Sequence, residues 1–312
     1  MNKIIVLSGG ISPEREVSIV SANYVTEALE AKGYSVTKLD PKDFVRERGV
    51  DYRAFIDKIR EISPLTVFNA LHGGHGEDGT IQKILELFNI NFTGSGSKAS
   101  LLGMDKVLSM LIAKEECIPV AEYLVLDKNE DKRESLKKIL DNIPCPLVIK
   151  PTCLGSSVGI SIVEERSMIT TALKEAYEEE SRIIAQRYVP GKEITIGVLE
   201  GKALPVLEVK PKSGWFDYSN KYDRGKSNYE VPAKIEEEKK KVVREYAEKI
   251  YSDLGCKDYA RVDFRFDGLD FYFLEVNILP GITDHSIFCL AAEAAGITYN
   301  NLIEKIVKLS IN

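Results

Sequence analysis

The chain has 312 residues, of which 44% are hydrophobic and 29% are charged, a balance typical of a globular protein with two or three domains. No apolar run approaches the roughly 18 residues of a membrane span, and the N-terminus lacks a signal-peptide pattern. A net charge of −6 argues against nucleic-acid or membrane partners, and five scattered cysteines fit a cytoplasmic location.

The first 95 residues are predicted to alternate strands and helices. Hydrophobic periodicity indicates strands at 4–8, 34–39 and 65–71 and helices at 16–32 and 79–88. This order predicts a doubly wound parallel sheet of the α/β class. Ligands of such sheets bind beyond the carboxyl ends of the strands, where the polar, glycine-rich segments 9–17 and 72–79 lie.

The rest of the chain is predicted to hold two further α/β segments, with boundaries at 94–97 and 187–191. One helix carries the leucines from Leu101 to Leu111, and a glycine-rich loop at 153–159 separates two strands. The later elements are a strand pair at 193–209, an irregular loop at 210–231, a helix at 235–254, a strand pair at 259–276 and two closing helices.

The strand pair at 259–276 carries the strongest chemical signal. Side chains alternate along a strand, so Arg261 and Asp263 share a face, as do Glu275 and Asn277. If the strands are antiparallel neighbours, two carboxylates and an amide oxygen converge in a site suited to Mg²⁺. Arg261 would stabilise charge on a phosphoryl group. The alternative is a solvated hairpin.

Lys150 ends an apolar strand and precedes the small-residue loop 153–159. Its backbone amides and the hydroxyls of Ser156 and Ser157 suit phosphate oxygens, although the Gly-Lys-Ser/Thr ending of a Walker A loop is absent. A plain hairpin turn is the alternative interpretation.

Two N-terminal segments also allow two interpretations each. The segment from His72 to Gly79 suggests a zinc hydrolase with His72, His75, Glu77 and Asp78 as ligands, or a helix start with capping acids. The segment from Ser12 to Ser18 is a helix cap, or it presents Glu14 to the ammonium group of an amino acid.

Taken together, these segments resemble the D-alanine–D-alanine ligases of the ATP-grasp superfamily. The matching motifs, in the family's order, are 14–18, 72–82, 104–106, 150–159, 217–222, 261–263 and 274–281, the last followed by His285 and Ser286. The resemblance implies three domains at 1–95, 96–186 and 187–312, with a lid at about 210–231 and ATP between two antiparallel sheets. It also implies a homodimer.

The resemblance implies that ATP phosphorylates one D-alanine and that the amine of a second attacks the acyl phosphate, for peptidoglycan precursor synthesis. The implied catalytic residues are Glu14, Ser156, Tyr222, Arg261 and Gly281. The implied substrate-binding residues are Val17, His72, Lys221, Ser286 and Ile287. The implied ATP-binding residues are Lys106, Lys150, Ser156, Ser157, Gln186, Arg187, Tyr188, Val189 and Glu193. The implied ligands of two Mg²⁺ (or Mn²⁺) ions are Asp263, Glu275 and Asn277.

Three positions depart from the common family pattern: Gln186 replaces Glu, Ile278 replaces Thr and Ile287 replaces Leu. Tyr222 keeps the pattern of the dipeptide-forming enzymes, so D-alanine is favoured as the second substrate. Ligation of D-alanine to D-lactate or D-serine remains an alternative, as does the zinc hydrolase.

Overall fold

The structure, a computed structural model, describes residues 2–47, 49–155, 158–211 and 227–311. Within these ranges the chain forms three larger sheets and one small two-stranded sheet. None of the described helices is long and apolar enough to cross a membrane.

The first sheet is parallel, with the strand order β2–β1–β5. Its region contains β1 (Lys3–Leu7), α1 (Arg15–Ala31), β2 (Ser35–Leu39), β3 (Val45–Arg46), β4 (Gly49–Val50), α2 (Tyr52–Ile62), β5 (Thr66–Asn69) and α3 (Thr80–Leu87). Ile4 and Val6 pack on the α1 side, whereas Ile5 and Leu7 pack on the α2 and α3 side. Because helices cover both faces, the doubly wound parallel sheet is confirmed, and α2 is an element that we did not predict.

Two helices follow where we predicted one: α4 (Ser97–Met104) and α5 (Lys106–Glu115). Asp105 separates them, with an extended backbone (φ −81°, ψ 105°). Its carboxylate accepts hydrogen bonds from the amides of Val107 and Leu108, at 2.8 and 3.1 Å. This N-cap starts a new helix, so Lys106 lies at a helix N-terminus rather than inside a long helix.

The second sheet has the order β6–β9–β7–β8, and its strand pairs are antiparallel. Its region contains β6 (Tyr123–Asp127), α6 (Lys132–Asn142), β7 (Leu147–Pro151), β8 (Ser161–Val163), α7 (Ile169–Glu179) and β9 (Arg182–Arg187). Ile149 and Ile183 pack with α6 and α7 on one face. Ile184 points to the other face and joins the core of the third sheet. The two antiparallel sheets therefore face each other, and Lys150, which pairs with Ile184, lies between them.

The third sheet is antiparallel, with the order β13–β12–β10–β14–β15 and β11 beside β10. Its region contains β10 (Lys192–Leu199), β11 (Lys202–Ala203), β12 (Leu207–Pro211), β13 (Ser227–Glu230), α8 (Glu237–Asp253), β14 (Tyr259–Phe266), β15 (Phe271–Asn277), α9 (Ile287–Ala294) and α10 (Tyr299–Leu309). The irregular loop predicted at 210–231 is wrong at its ends, because β12 and β13 pair there. Residues 212–226, with the predicted lid, lie outside the described residues.

The C-terminal helices return to the first sheet. Leu302, Ile303 and Ile306 of α10 are fully buried in the same cluster as Ile4 and Val25. The same cluster contains Leu199 and Tyr259 of the third sheet, so this packing joins the first and third sheets.

Candidate active site

Two neighbouring strands present the predicted metal-binding face. In the antiparallel β14–β15 pair, Arg261 lies opposite Asn277 and Asp263 lies opposite Glu275, so the strands are antiparallel neighbours, which is the condition set for the predicted site. Arg261 donates to both carboxylate oxygens of Asp263, from Nε at 2.9 Å and from Nη2 at 2.7 Å. The hydroxyl of Thr195, opposite Asp263 on β10, also donates to this carboxylate. Asp263 is 8% exposed and is fixed from two sides.

Two buried lysines reach this face from other elements. Lys106, at the start of α5, places Nζ 3.3 Å from Oε2 of Glu275 and donates to the carbonyl of Leu154 at 2.7 Å. Lys150 ends β7 and is buried. Burial lowers the pKa of Lys150 to about 8, and repulsion from Lys106 adds to this, while Glu275 opposes it. Two cations and two carboxylates thus share the space between the sheets.

Arg265 organises the segment from Tyr188 to Glu193, which the resemblance implies for the nucleotide. It donates to the carbonyls of Val189 and Gly191, at 3.0 and 2.8 Å, and lies 3.7 Å from the carboxylate of Glu193. Its guanidinium also lies 5.5 Å from the ring centre of Tyr188. We did not predict this residue, although the two-residue period of β14 places it on the face of Arg261 and Asp263.

Gln186 and Arg187 point in different directions, as expected for successive strand residues. Gln186 is buried, and its amide donates to the carbonyl of Ala121 at 3.4 Å. Arg187 pairs with Glu122 at 2.5 Å and lies over the ring of Tyr272. Only Gln186 shares the Lys150 face of the second sheet, because it pairs with Val148 two residues before that lysine.

The loops after β1 and β5 bring Glu14 and His72 together. Ser12 of the first loop donates to the carbonyl of His72 at 2.5 Å. Gly73 has a φ of +66°, and a Cβ there would lie 2.4 Å from Oε2 of Glu14. His72 is buried and contacts the hydroxyl of Ser21 at 3.0 Å. The backbone at 73 therefore favours glycine, and a side chain there would force the Glu14 carboxylate to shift.

The zinc site suggested for His72 and His75 does not form. His75 points away from His72 and contacts the hydroxyl of Tyr52 at 2.5 Å. Glu77 accepts from the amide of Gly73, and Asp78 accepts from the amide of Thr80 at the start of α3. Among the described residues, no group of three His, Cys, Asp or Glu side chains is arranged to hold a metal. The acids cap and shape the turn, so the zinc-hydrolase alternative is wrong.

The segment after β15 contacts α1. Gly281 lies against Ser286, since a Cβ at 281 would be 3.7 Å from the Cβ of Ser286. Ser286 precedes α9, which begins at Ile287, and the ring of His285 lies 5.8 Å from that of Tyr24 on α1. The N-terminus of α9 offers amide groups that suit a carboxylate, beside the helix that carries Val17.

Four predicted site residues lie outside the described residues: Ser156, Ser157, Lys221 and Tyr222. Their implied roles stay predictions.

Comparisons with known proteins agree with this geometry. Residues 42–95 match the family model described as D-ala D-ala ligase N-terminus, and residues 112–308 match D-ala D-ala ligase C-terminus. A D-alanine–D-alanine ligase of Syntrophotalea carbinolica is 37% identical over 98% of this chain and 95% of its own length.

Solved structures give the same result. The D-alanine–D-alanine ligase of Bacillus anthracis in complex with ATP has a TM-score of 0.84 and 30% identity, over 100% of this chain and 98% of its own. The VanG D-Ala:D-Ser ligase of Enterococcus faecalis has a TM-score of 0.82 and 28% identity, over 99% of both chains. With both sequence models matched and the three-sheet fold shared end to end, the chain belongs to the D-alanine–D-alanine ligase family and is an ATP-dependent ligase of the ATP-grasp fold.

Proposed function

We propose that the chain joins two D-alanine molecules into D-alanyl-D-alanine, with release of ADP and phosphate, for peptidoglycan precursor synthesis. The observation that carries this proposal is the convergence of Lys106 and Lys150 on the paired Asp263 and Glu275 between two facing sheets. Such a site neutralises a polyphosphate while it holds carboxylates for divalent cations.

ATP is proposed to lie between the second and third sheets. Lys106 and Lys150 would contact its phosphates, together with Ser156, Ser157 and the loop that they belong to. The base would lie against the segment of Gln186, Arg187, Tyr188 and Val189, and the ribose hydroxyls would bind Glu193. Arg265 supports this arrangement, because it fixes two carbonyls of that segment and lies beside Glu193.

Two Mg²⁺ ions, or Mn²⁺ in their place, would be held by Asp263, Glu275 and Asn277. The donor set fits, since it offers carboxylate and amide oxygens on adjacent strands, the ligand type that these hard cations prefer. When bound, the ions neutralise charge on the transferring phosphoryl group.

The first D-alanine would lie between the Glu14 loop and the 72–79 loop. Glu14 would accept from its ammonium group, Val17 would contact its methyl group, and His72 would lie near its carboxylate. The close approach of Glu14 to Gly73 and the link from Ser12 to His72 support a single preformed pocket. Transfer of the γ-phosphoryl group to this carboxylate gives an acyl phosphate and ADP, and Lys221 would contact the transferred group.

The second D-alanine would bind through its carboxylate to Ser286 and the amide of Ile287 at the N-terminus of α9. Its amine attacks the acyl carbon, the oxyanion is stabilised by Arg261 and the amide of Gly281, and phosphate leaves as the peptide bond forms. Ser156 and Tyr222, linked to Glu14, would close the site against water, which would otherwise hydrolyse the acyl phosphate.

The division into domains at 1–95, 96–186 and 187–312 and the homodimer also stay proposals. The three sheets support the division, with one qualification. Helices α4 and α5 fall within 96–186, yet Ala99, Val107 and Met110 pack in the core of the third sheet.

The test is a coupled ADP-release assay with D-alanine, D-serine or D-lactate as acceptor, followed by mass spectrometry of the product. We expect ADP release that needs D-alanine and a divalent cation, with the dipeptide as main product. A Lys106→Met variant should lose activity, whereas Lys98→Met, an exposed position on the preceding helix, should match the parent enzyme. The absence of ADP release that depends on D-alanine would refute the proposal. A product that contains mainly D-serine at its second position would show that D-serine is the second substrate.

A further inference from the structure

The carboxylate of Glu180 holds the start of the predicted phosphate loop, which follows β7. Glu180 directly follows α7, and its Oε1 accepts from the hydroxyl of Thr152 at 2.8 Å while its Oε2 accepts from the amide of Cys153 at 2.9 Å. Thr152 is fully buried. Both donors are at the start of the loop, so Glu180 fixes the direction in which the chain leaves β7.

The same stem is connected to Lys106. The amide of Lys106 donates to the carbonyl of Thr152 at 2.9 Å, and its Nζ donates to the carbonyl of Leu154 at 2.7 Å. The carbonyl of Arg182, two residues after Glu180, accepts from the amide of Thr152 at 3.3 Å, and the guanidinium of Arg182 pairs with Asp105 at 3.2 Å. The loop stem, the N-terminus of α5 and the start of β9 therefore form one hydrogen-bonded unit.

The far end of the loop meets the same end of α7. Gly159 has a φ of +68°, and a Cβ there would lie 2.8 Å from Cγ of Pro151 and 3.1 Å from Cγ of Glu179. Both ends of the loop thus lie against the C-terminal end of α7. A shift of the first end would move the stem residues 153–155 relative to Lys106, which contacts the carbonyl of Leu154.

A carboxylate beneath a polyphosphate site is electrostatically unfavourable for binding ATP, because like charges repel. Burial raises the pKa of the neighbouring Cys153 thiol, and the charge of Glu180 contributes to this rise. By charge alone, a neutral or basic residue at 180 would favour ATP binding more than a carboxylate does. Glu180 can therefore favour ATP binding only through its two hydrogen bonds, which hold the stem.

We infer that Glu180 is a positioning residue for ATP, acting through Thr152 and Cys153 to hold the stem of the loop, residues 152–155, beside Lys106. The inference rests on the proposed function, since it assigns the loop to ATP.

Three variants test the inference: Glu180→Ala, Glu180→Gln and Glu178→Ala. Glu180→Ala should raise the KM for ATP about tenfold or more, equivalent to about 1.4 kcal/mol, and should leave the KM for D-alanine at saturating ATP within twofold. Glu180→Gln should stay within about threefold, because its amide oxygen accepts from Cys153 while its NH₂ donates to the Thr152 hydroxyl. Glu178, an exposed residue of α7, serves as the matched control and should not change.

Calorimetric binding of ADP with Mg²⁺ provides a second measurement that does not need turnover. Glu180→Ala should weaken it by the same factor, and its urea midpoint of unfolding should fall, because the Thr152 hydroxyl and the Cys153 amide lose their acceptor. An unchanged KM and ADP affinity in Glu180→Ala would overturn the inference. So would an equal rise in both KM values, which indicates a general structural role. Failure of the parent enzyme to release ADP with D-alanine would instead refute the proposed function. The affinity for ADP would still test whether Glu180 positions the loop for the nucleotide.

Discussion

Replacing Lys150 by methionine should stabilise the fold at neutral pH while it impairs the enzyme. The side chain is buried between the two antiparallel sheets, and burial lowers its pKa from about 10.4 for a free lysine to about 8. Since a tenfold change in equilibrium corresponds to about 1.4 kcal/mol, the charged lysine destabilises the native state by about 3 kcal/mol. Methionine removes the charge and keeps most of the volume, and Glu275 retains its partner Lys106.

The effect has a defined dependence on pH. A lysine with a lowered pKa in the native state binds fewer protons there than in the unfolded chain, so stability rises with pH between the two pKa values. The penalty is fully present below about pH 8 and disappears above about pH 10.5. The advantage of Lys150→Met should therefore be about 3 kcal/mol at pH 7 and about 1 kcal/mol at pH 10.

Urea unfolding of the nucleotide-free enzyme in the presence of a chelator, followed by circular dichroism at pH 7 and pH 10, measures this difference. Lys174→Met is the matched control, because Lys174 is 79% exposed and lies 3.9 Å from its partner Glu178; it should change stability little at either pH. The reasoning would be refuted if Lys150→Met were less stable than the parent at pH 7. It would also be refuted if the gain in unfolding free energy were as large at pH 10 as at pH 7. Its KM for ATP should rise, since a phosphate-binding cation is lost.

Three further changes address other parts of the site. Glu275→Gln should abolish turnover while circular dichroism still shows a folded protein, and more than a tenth of parental kcat would contradict its role at the metal site. Gly73→Ala should raise the KM for D-alanine at least tenfold, because the new Cβ displaces Glu14; an unchanged KM would place the substrate elsewhere. Asp105→Ala removes the α5 cap and the partner of Arg182, so urea unfolding should show a loss of about 1–2 kcal/mol, and an unchanged stability would argue against the cap. Chelation of divalent cations should stop ADP release, and Mg²⁺ should restore it.

Much of the fold was predictable because its signals are local. The alternation of Ile4 to Leu7, buried on both faces, and the helical spacing of Val25 and Leu29 are set by strand and helix geometry. The single helix predicted around Leu101 to Leu111 was wrong, because a hydrophobic pattern continues across Asp105. The capping side chain, not the pattern, decides that the helix ends and restarts there.

Other errors have a different cause. The predicted loop at 210–231 covered the end of β12 and all of β13, whose pairing depends on a partner strand rather than on the period of either segment. The zinc interpretation of His72 and His75 failed because two side chains three residues apart in a glycine-rich turn point to different partners. Glu180 and Arg265 were missed, since each acts on a segment distant in sequence.

The sequence alone determined most of the order of elements, the shared face of Arg261 and Asp263, the glycine-rich loop after Lys150, and the family. Only the tertiary structure decided that Lys106 meets Glu275, that Thr195 holds Asp263, and that the Glu14 carboxylate lies against Gly73. The physical reason is that periodicity and capping act within a few residues. Contacts between sheets depend on how buried faces pack, which no single segment encodes.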